Sequence, residues 1–146
     1  LALKNEGKKV VCWNEDPIPQ KYEFLDPEHL FQKPKPGMEF DCVIATDAAS
    51  FERLGTVSQC VTQRKISINI DHHESNTRYA DINWVAKEPS CGELIYKLIR
   101  AANWPITKEI ADALFTAVST DTGSFQYSTT RPATYHVAGD LVKRGL

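Results

Sequence analysis

The sequence predicts an α/β fold built on a mainly parallel sheet with helices on both faces. Three observations lead there. Strand-like runs alternate with helical stretches along the chain. Asp41–Thr46 (DCVIAT) is an apolar run with β-branched residues, the pattern of a strand covered on both sides. Polar clusters stand where such strands would end, the edge at which parallel sheets gather ligands. The chain has 146 residues, 42% hydrophobic and 25% charged. Residues 1–146 thus read as one domain, able to bury roughly 70% of the surface of the unfolded chain. With 17 Lys and Arg against 19 Asp and Glu the net charge is −2, a poor basis for holding long duplex DNA by charge. No apolar run approaches the ~18 residues that a membrane helix needs.

Each element has its own warrant. Leu1–Gly7 reads as the last turns of a helix stopped by Gly7. The other end, Asp140–Leu146, closes another helix, so the chain reads as an internal piece of a longer protein. Lys8–Trp13 is strand-like; Asp16-Pro17-Ile18-Pro19 then leads into a helical turn around Tyr22 and Leu25. His29–Gln32 is a brief strand, and Lys33-Pro34-Lys35-Pro36-Gly37 a loop by composition. Ser50–Arg64 carries Phe51, Leu54, Val57 and Val61 at helical spacing, weakened or broken by Gly55. Lys65–Ile70 (KISINI) is a third strand.

The second half is more helical. Ser90-Cys91-Gly92-Glu93 forms a capping box, in which the Ser hydroxyl accepts from one free amide while Glu93 reaches back to another. Its helix carries Leu94, Ile95, Leu98, Ile99 and Ala102 on one face and ends at Asn103-Trp104-Pro105. Thr107 caps the next, with Ile110, Ala113, Leu114, Ala117 and Val118 as its apolar stripe. Thr130 caps the last, with Pro132 in the first turn and Val137, Ala138, Leu141 and Val142 facing inward. Cys12, Cys42, Cys60 and Cys91 include no Cys-x-x-Cys pair. Cys12 and Cys42 lie in strand-like runs and read as small core residues, which points to a reducing cytoplasm.

Three clusters could carry chemistry: Asp47 after DCVIAT, Asp71-His72-His73 after KISINI, and Asp121-Thr122-Gly123 at the end of a helix. Alone, Asp47 is as readily a turn former or cap, and Asp121 is equally ordinary. Two adjacent imidazoles beside a carboxylate at the mouth of a buried strand are different. They suit a divalent ion, and the mixed carboxylate and His set suits Mn²⁺, Mg²⁺ or Fe²⁺ better than a structural zinc. His29 reads as a surface residue and His136 as a helix-face residue. Trp13, Trp84 and Trp104 read as packing residues, since no spacing makes them a base-stacking platform.

The run Ile70-Asp71-His72-His73-Glu74-Ser75-Asn76, continuing through Tyr79-Ala80-Asp81-Ile82-Asn83, resembles the signature of the DHH phosphoesterases. Its Ser75-Asn76 string is similar to the branch of bifunctional oligoribonucleases (nanoRNases) and 3′-phosphoadenosine 5′-phosphate (pAp) phosphatases. Ile44-Ala45-Thr46-Asp47 with Arg53-Leu54-Gly55, Ser90–Leu94, and Ala117–Phe125 agree in order and spacing. The resemblance implies a Rossmann-like DHH domain, truncated at both ends. Neither the family's first motif, His-x-x-x-Asp-x-Asp, nor its C-terminal substrate domain is in this sequence.

The resemblance also implies roles. Asp47, His72 and Asp121 would be metal ligands converging on one point, with Asp47 bridging two ions. His73 would face the substrate phosphate, Asp71 would orient the imidazole pair, and Asn76 and Arg78 would border the substrate, although a loop Arg is as readily a solvated one. The implied reaction is two-metal hydrolysis of short single-stranded RNA and small phosphonucleotides with Mn²⁺, or Mg²⁺, by a cytoplasmic protein that pairs as a homodimer and binds no membrane. Rival readings are a manganese inorganic pyrophosphatase, a single-strand exonuclease, a cyclic-dinucleotide phosphodiesterase, and a non-catalytic nucleotide-binding module. Without the first motif, the isolated stretch is expected to bind one ion weakly, to self-associate and to be inactive.

Overall fold

A computed structural model describes residues 1–146, which divide into two compact units, Val11–Ala86 and Leu1–Val10 with Lys87–Leu146. The first holds all the strands. β1 (Cys12–Trp13) pairs in parallel with β2 (Phe31–Gln32), and β3 (Phe40–Thr46), β4 (Arg64–Asp71) and β5 (Ile82–Val85) form a second parallel sheet in the order β3-β4-β5. Every strand pair is parallel, as the sequence predicts. Lys8–Trp13 is strand only at its last two residues, and β5 is a short strand that no sequence pattern announces.

Side chains alternate across a strand, and in β4 the alternation is chemical. Ile66, Ile68 and Ile70 share one face; Ser67, Asn69 and Asp71 share the other, and all three of these polar residues are buried. The register sets Ala45 beside Asn69 and Thr46 beside Ile70, so the next step brings Asp47 alongside Asp71. The amide of Asp47 donates to the carbonyl of Ile70 (3.0 Å). Two apolar runs in register thus deliver two carboxylates to one edge.

Two expectations for this unit are corrected. β3 is an edge strand rather than one covered on both faces: Cys42, Ile44 and Thr46 are exposed, so Cys42 is not a core thiol. The helix expected over Ser50–Arg64 is broken into a 3₁₀ turn at Phe51–Leu54 and α2 (Val57–Cys60). Gly55 sits between them at φ +56°, and the carboxylate of Glu15 fills the space a Cβ would take while accepting from the amide of Thr56. A side chain there would be strained and displaced at once.

The other unit comprises α1 (Ala2–Asn5), which ends near Gly7 at φ +73°, and α3 (Cys91–Ala101), α4 (Lys108–Asp121) and α5 (Pro132–Val142). Its core joins Ile99, Ile106, Ile110, Ala111, Leu114, Val118, Val137 and Leu141. Gly92 allows α3 to approach α4, since a Cβ there would stand 2.9 Å from that of Ala117. Thr107 caps α4 as expected, accepting from Ile110 (3.4 Å). The cap of α5 is Arg131 rather than Thr130, with the Thr134 hydroxyl accepting the Arg131 amide (3.2 Å). Leu98, Ala102 and Val142, expected to face inward, are exposed.

The capping box is only half formed. Ser90 accepts from the Glu93 amide (3.2 Å), but the fully buried Glu93 carboxylate closes no hydrogen bond, with only the Thr134 hydroxyl near enough to ease it. The nearby cations are engaged by Glu88, with Lys97 at 2.5 Å and Arg131 at 3.8 Å. Burial therefore raises the Glu93 carboxyl above its ordinary value, against the weaker pull of Thr134, Lys97 and Arg131. The folded chain holds this proton more tightly than the unfolded chain. Stability should accordingly fall as pH rises from the ordinary glutamate range through the raised one. Glu93→Gln should match the parent near pH 4 and exceed it near pH 8 by about 1–3 kcal/mol, the scale of an unmet buried polar group, in urea unfolding at both pH values. In the same assay Leu141→Ala, at a side chain with no exposure, should cost about 2–5 kcal/mol and Leu98→Ala less than about 1.

Candidate metal centre

Asp71 ends β4 with no exposed surface, and a carboxylate there must be met by donors. Three meet it. Oδ1 accepts from the amide of His72 (2.8 Å) and from Nδ1 of His73 (2.8 Å); Oδ2 accepts from Nδ2 of Asn76 (2.5 Å). Burial alone would raise its pKa, but Asn76, His73 and the His72 amide together leave it lowered. An acceptor-only carboxylate assigns the proton of His73 to Nδ1 and leaves Nε2 for other partners.

Asp47 follows β3 directly in the left-handed region, φ +59°. That is uncommon for a side chain larger than hydrogen, although Asp tolerates it better than most. The turn aims its half-exposed carboxylate back along the sheet edge, with Oδ1 3.2 Å from Nε2 of His72 and 3.8 Å from Nδ1 of His73. The two imidazoles meet edge-on, centroids 4.6 Å apart. One donor atom from each of Asp47, Asp71, His72 and His73 lies within 4.8 Å of the others. Ligands on opposite sides of an ion bound at ~2.1 Å stand ~4.2 Å apart, so small side-chain turns would seat a divalent ion in this set. The donors fit such a group, with His72 and Asp47 facing each other and Asp71 committed behind them.

The 74–79 loop borders the cluster. Asn76 directs its amide nitrogen inward, while its Oδ1 accepts the Arg78 amide (2.7 Å). Arg78 is exposed at φ +54°. Asp121 belongs to the other unit, half-buried as the last residue of α4, before Thr122, whose hydroxyl returns to the Val118 carbonyl (2.7 Å). His29 and His136 are exposed, as expected. Asn69 was missed by the reading of motifs. Its signal was present, since an Asn inside the strand KISINI is out of place on β-propensity unless it is bonded.

Residues 1–118 match the family profile described as DHH family, N-terminal domain. This chain belongs to the DHH family. It is 31% identical over 152 residues to the bifunctional oligoribonuclease and PAP phosphatase NrnA of Thermus thermophilus, covering 99% of this chain and 44% of that one. With the NrnA of Bacillus subtilis it shares 30% over 105 residues, covering 69% of this chain and 33% of that one. Among solved structures, an exopolyphosphatase-related protein from Bacteroides fragilis superposes with a TM-score of 0.85 at 21% identity, covering 99% of this chain and 46% of that one. A putative family II inorganic pyrophosphatase from Methanococcus jannaschii gives 0.65 at 18%, covering 92% and 47%. These last two show the fold alone. The DHH chain spans less than half the length of the relatives it matches.

Asp47→Ala and His72→Ala in this chain should each weaken Mn²⁺ binding by more than the ~10–100-fold typical of residues behind a ligand. Calorimetric titration reads the change, and parent-like affinity in both variants would remove the site from this cluster.

Proposed function

We propose that the protein carrying this DHH domain is a metal-dependent phosphoesterase acting on short single-stranded oligoribonucleotides and on pAp. The observation that carries the reading is the convergence of Asp47, Asp71, His72 and His73 at the carboxyl ends of β3 and β4. The names of the NrnA relatives support the substrate class. Asp47 and His72 are the ligands to hold a divalent ion, Mn²⁺ or Mg²⁺. Asp121, in its Asp-Thr-Gly string, is assigned a ligand role on the motif alone. Divalent ions in such a site supply Lewis acidity, easing the loss of a proton from water and offsetting charge on a phosphoryl group.

The chain's own groups supply the rest. With Nδ1–H given to Asp71, Nε2 of His73 faces the phosphate, and in its charged form the ring donates to a phosphoryl oxygen. Asp71 stays ionised behind it, fixing the ring and balancing its charge. Arg78 adds a fork of donors from the loop, and Asn76 sets the path of that loop on the substrate side. The proposal places the protein in the cytoplasm and includes pairing as a homodimer. No helix is long and apolar enough to cross a membrane.

The deciding experiment offers the full-length protein a diribonucleotide, pAp, pyrophosphate and cyclic di-AMP side by side with Mn²⁺. Faster turnover of the first two is expected; preference for either of the others, or no hydrolysis at all, would overturn the reading. Asp47→Asn should cost more turnover than His73→Asn, which should lose ~100–1,000-fold as one stabilising donor disappears. Equal, small losses in steady-state kinetics would contradict the two roles.

A further inference from the structure

Behind the acidic edge lies a second set of polar groups, joined to it through Asp71. Asn69 is fully buried on β4, two residues before Asp71 on the same face. Its Nδ2 donates to the hydroxyl of Tyr79 (3.0 Å) and, at longer range, to the carbonyls of Ala48 (3.3 Å) and Ala45 (3.4 Å). Its Oδ1 accepts from Nδ2 of Asn76 (2.8 Å). That nitrogen also donates to Asp71 Oδ2 (2.5 Å) and lies 3.3 Å from the Ala48 carbonyl. Tyr79 is desolvated enough for its hydroxyl to be pushed up to about 12, with the charge of Asp71 adding to the effect. Thr77 adds a backbone bond to the carbonyl of Ala49 (2.8 Å).

Direction matters in this chain of bonds. Backbone carbonyls and an ionised carboxylate accept only, so whatever links them must donate at both ends and accept in the middle. A carboxamide pair does this. Either amide turned over would set oxygen against oxygen, at Asp71 for Asn76 and at Ala48 for Asn69, so the network admits one orientation. A hydroxyl has one hydrogen and cannot serve two acceptors. An Asp at either position would add a buried negative charge to one already there.

We infer that Asn69 and Asn76 are positioning residues: acting through Asp71, their joined carboxamides hold His73 with the proton on Nδ1 and tie the Asp47 turn to the His72-His73 loop. The inference rests on reading His73 as the phosphate-facing group. Residues behind a ligand that fix its tautomer and direction are worth ~10–100-fold in metal affinity or activity. Asn83, in register with Asn69 on the neighbouring strand β5, is the contrast: its amide bonds only the backbone of Ala80, at 2.7 and 3.2 Å.

The test uses this chain, ¹⁵N-labelled and free of metal, with ring-nitrogen correlation spectra of His73 at a pH where the imidazole is neutral. The parent and Asn83→Ala should carry the proton on Nδ1. Asn76→Ala and Asn69→Ala should shift the population toward Nε2 and weaken Mn²⁺ binding by about tenfold or more, with Asn83→Ala within about twofold of the parent. Should a variant fail to fold, the parent decides alone: the side-chain amide protons of Asn69 and Asn76 must exchange slowly with water. A parent His73 protonated on Nε2, fast exchange of those protons, or Asn69 and Asn76 variants that behave like Asn83→Ala would overturn the inference. If the tautomer results hold while the full-length protein hydrolyses no phosphoester, the proposed function falls and the positioning role stands.

Discussion

The site depends on one constraint: a carboxylate with no access to water, at Asp71, has to be surrounded by donors. An unmet buried charge costs several kcal/mol, and each donor recruited to meet it is thereby placed. The His72 amide turns the chain out of the strand, the His73 ring is drawn in by Nδ1, and the Asn76 amide folds the following loop back over the sheet. The arrangement turns Nε2 of His72 toward the Asp47 carboxylate, while His73 gives its Nδ1 to Asp71.

Asp47 is delivered by a different route, the register of two parallel strands followed by a left-handed turn. Its carboxylate is half exposed where that of Asp71 is sealed. Environment thus separates two chemically identical groups, one partly open to solvent beside the imidazoles and one sealed among hydrogen-bond donors. The contrast with Glu93 is instructive. That carboxylate is also fully buried, yet its neighbouring cations are taken by Glu88 and no amide reaches it, so it is raised where Asp71 is lowered.

Much of this was legible in the sequence. β3 and β4 are runs long and apolar enough to declare themselves, and the helices α3, α4 and α5 carry three-to-four spacing with caps or Pro at their starts. The Asp71-His72-His73 string is local, so its neighbours stand out without a fold. What was not legible depends on partners distant in the chain. Cys42 and Ile44 look like core residues until the face of β3 that carries them is seen to be uncovered. Glu93 reads as half of a capping box until its burial turns it away from the Ser90 backbone. Gly55 hints at a break, and its left-handed φ of +56° is what stops the helix, but the Glu15 carboxylate that occupies the space beside it comes from forty residues earlier in sequence. β5 has four residues, Ile82–Val85, too few for a period to emerge.

The central claim is that the polar edge of β3 and β4 is built to hold a divalent cation between Asp47 and His72. Its most direct measurement is an anomalous difference map from crystals of the full-length protein grown with Mn²⁺. The account predicts a peak at ~2.0–2.2 Å from a carboxylate oxygen of Asp47 and from Nε2 of His72, with Asp71 still bonded to His73. A peak that avoids both residues, or Asp47 and His72 bonded directly to each other with Mn²⁺ bound elsewhere in the protein, would contradict it.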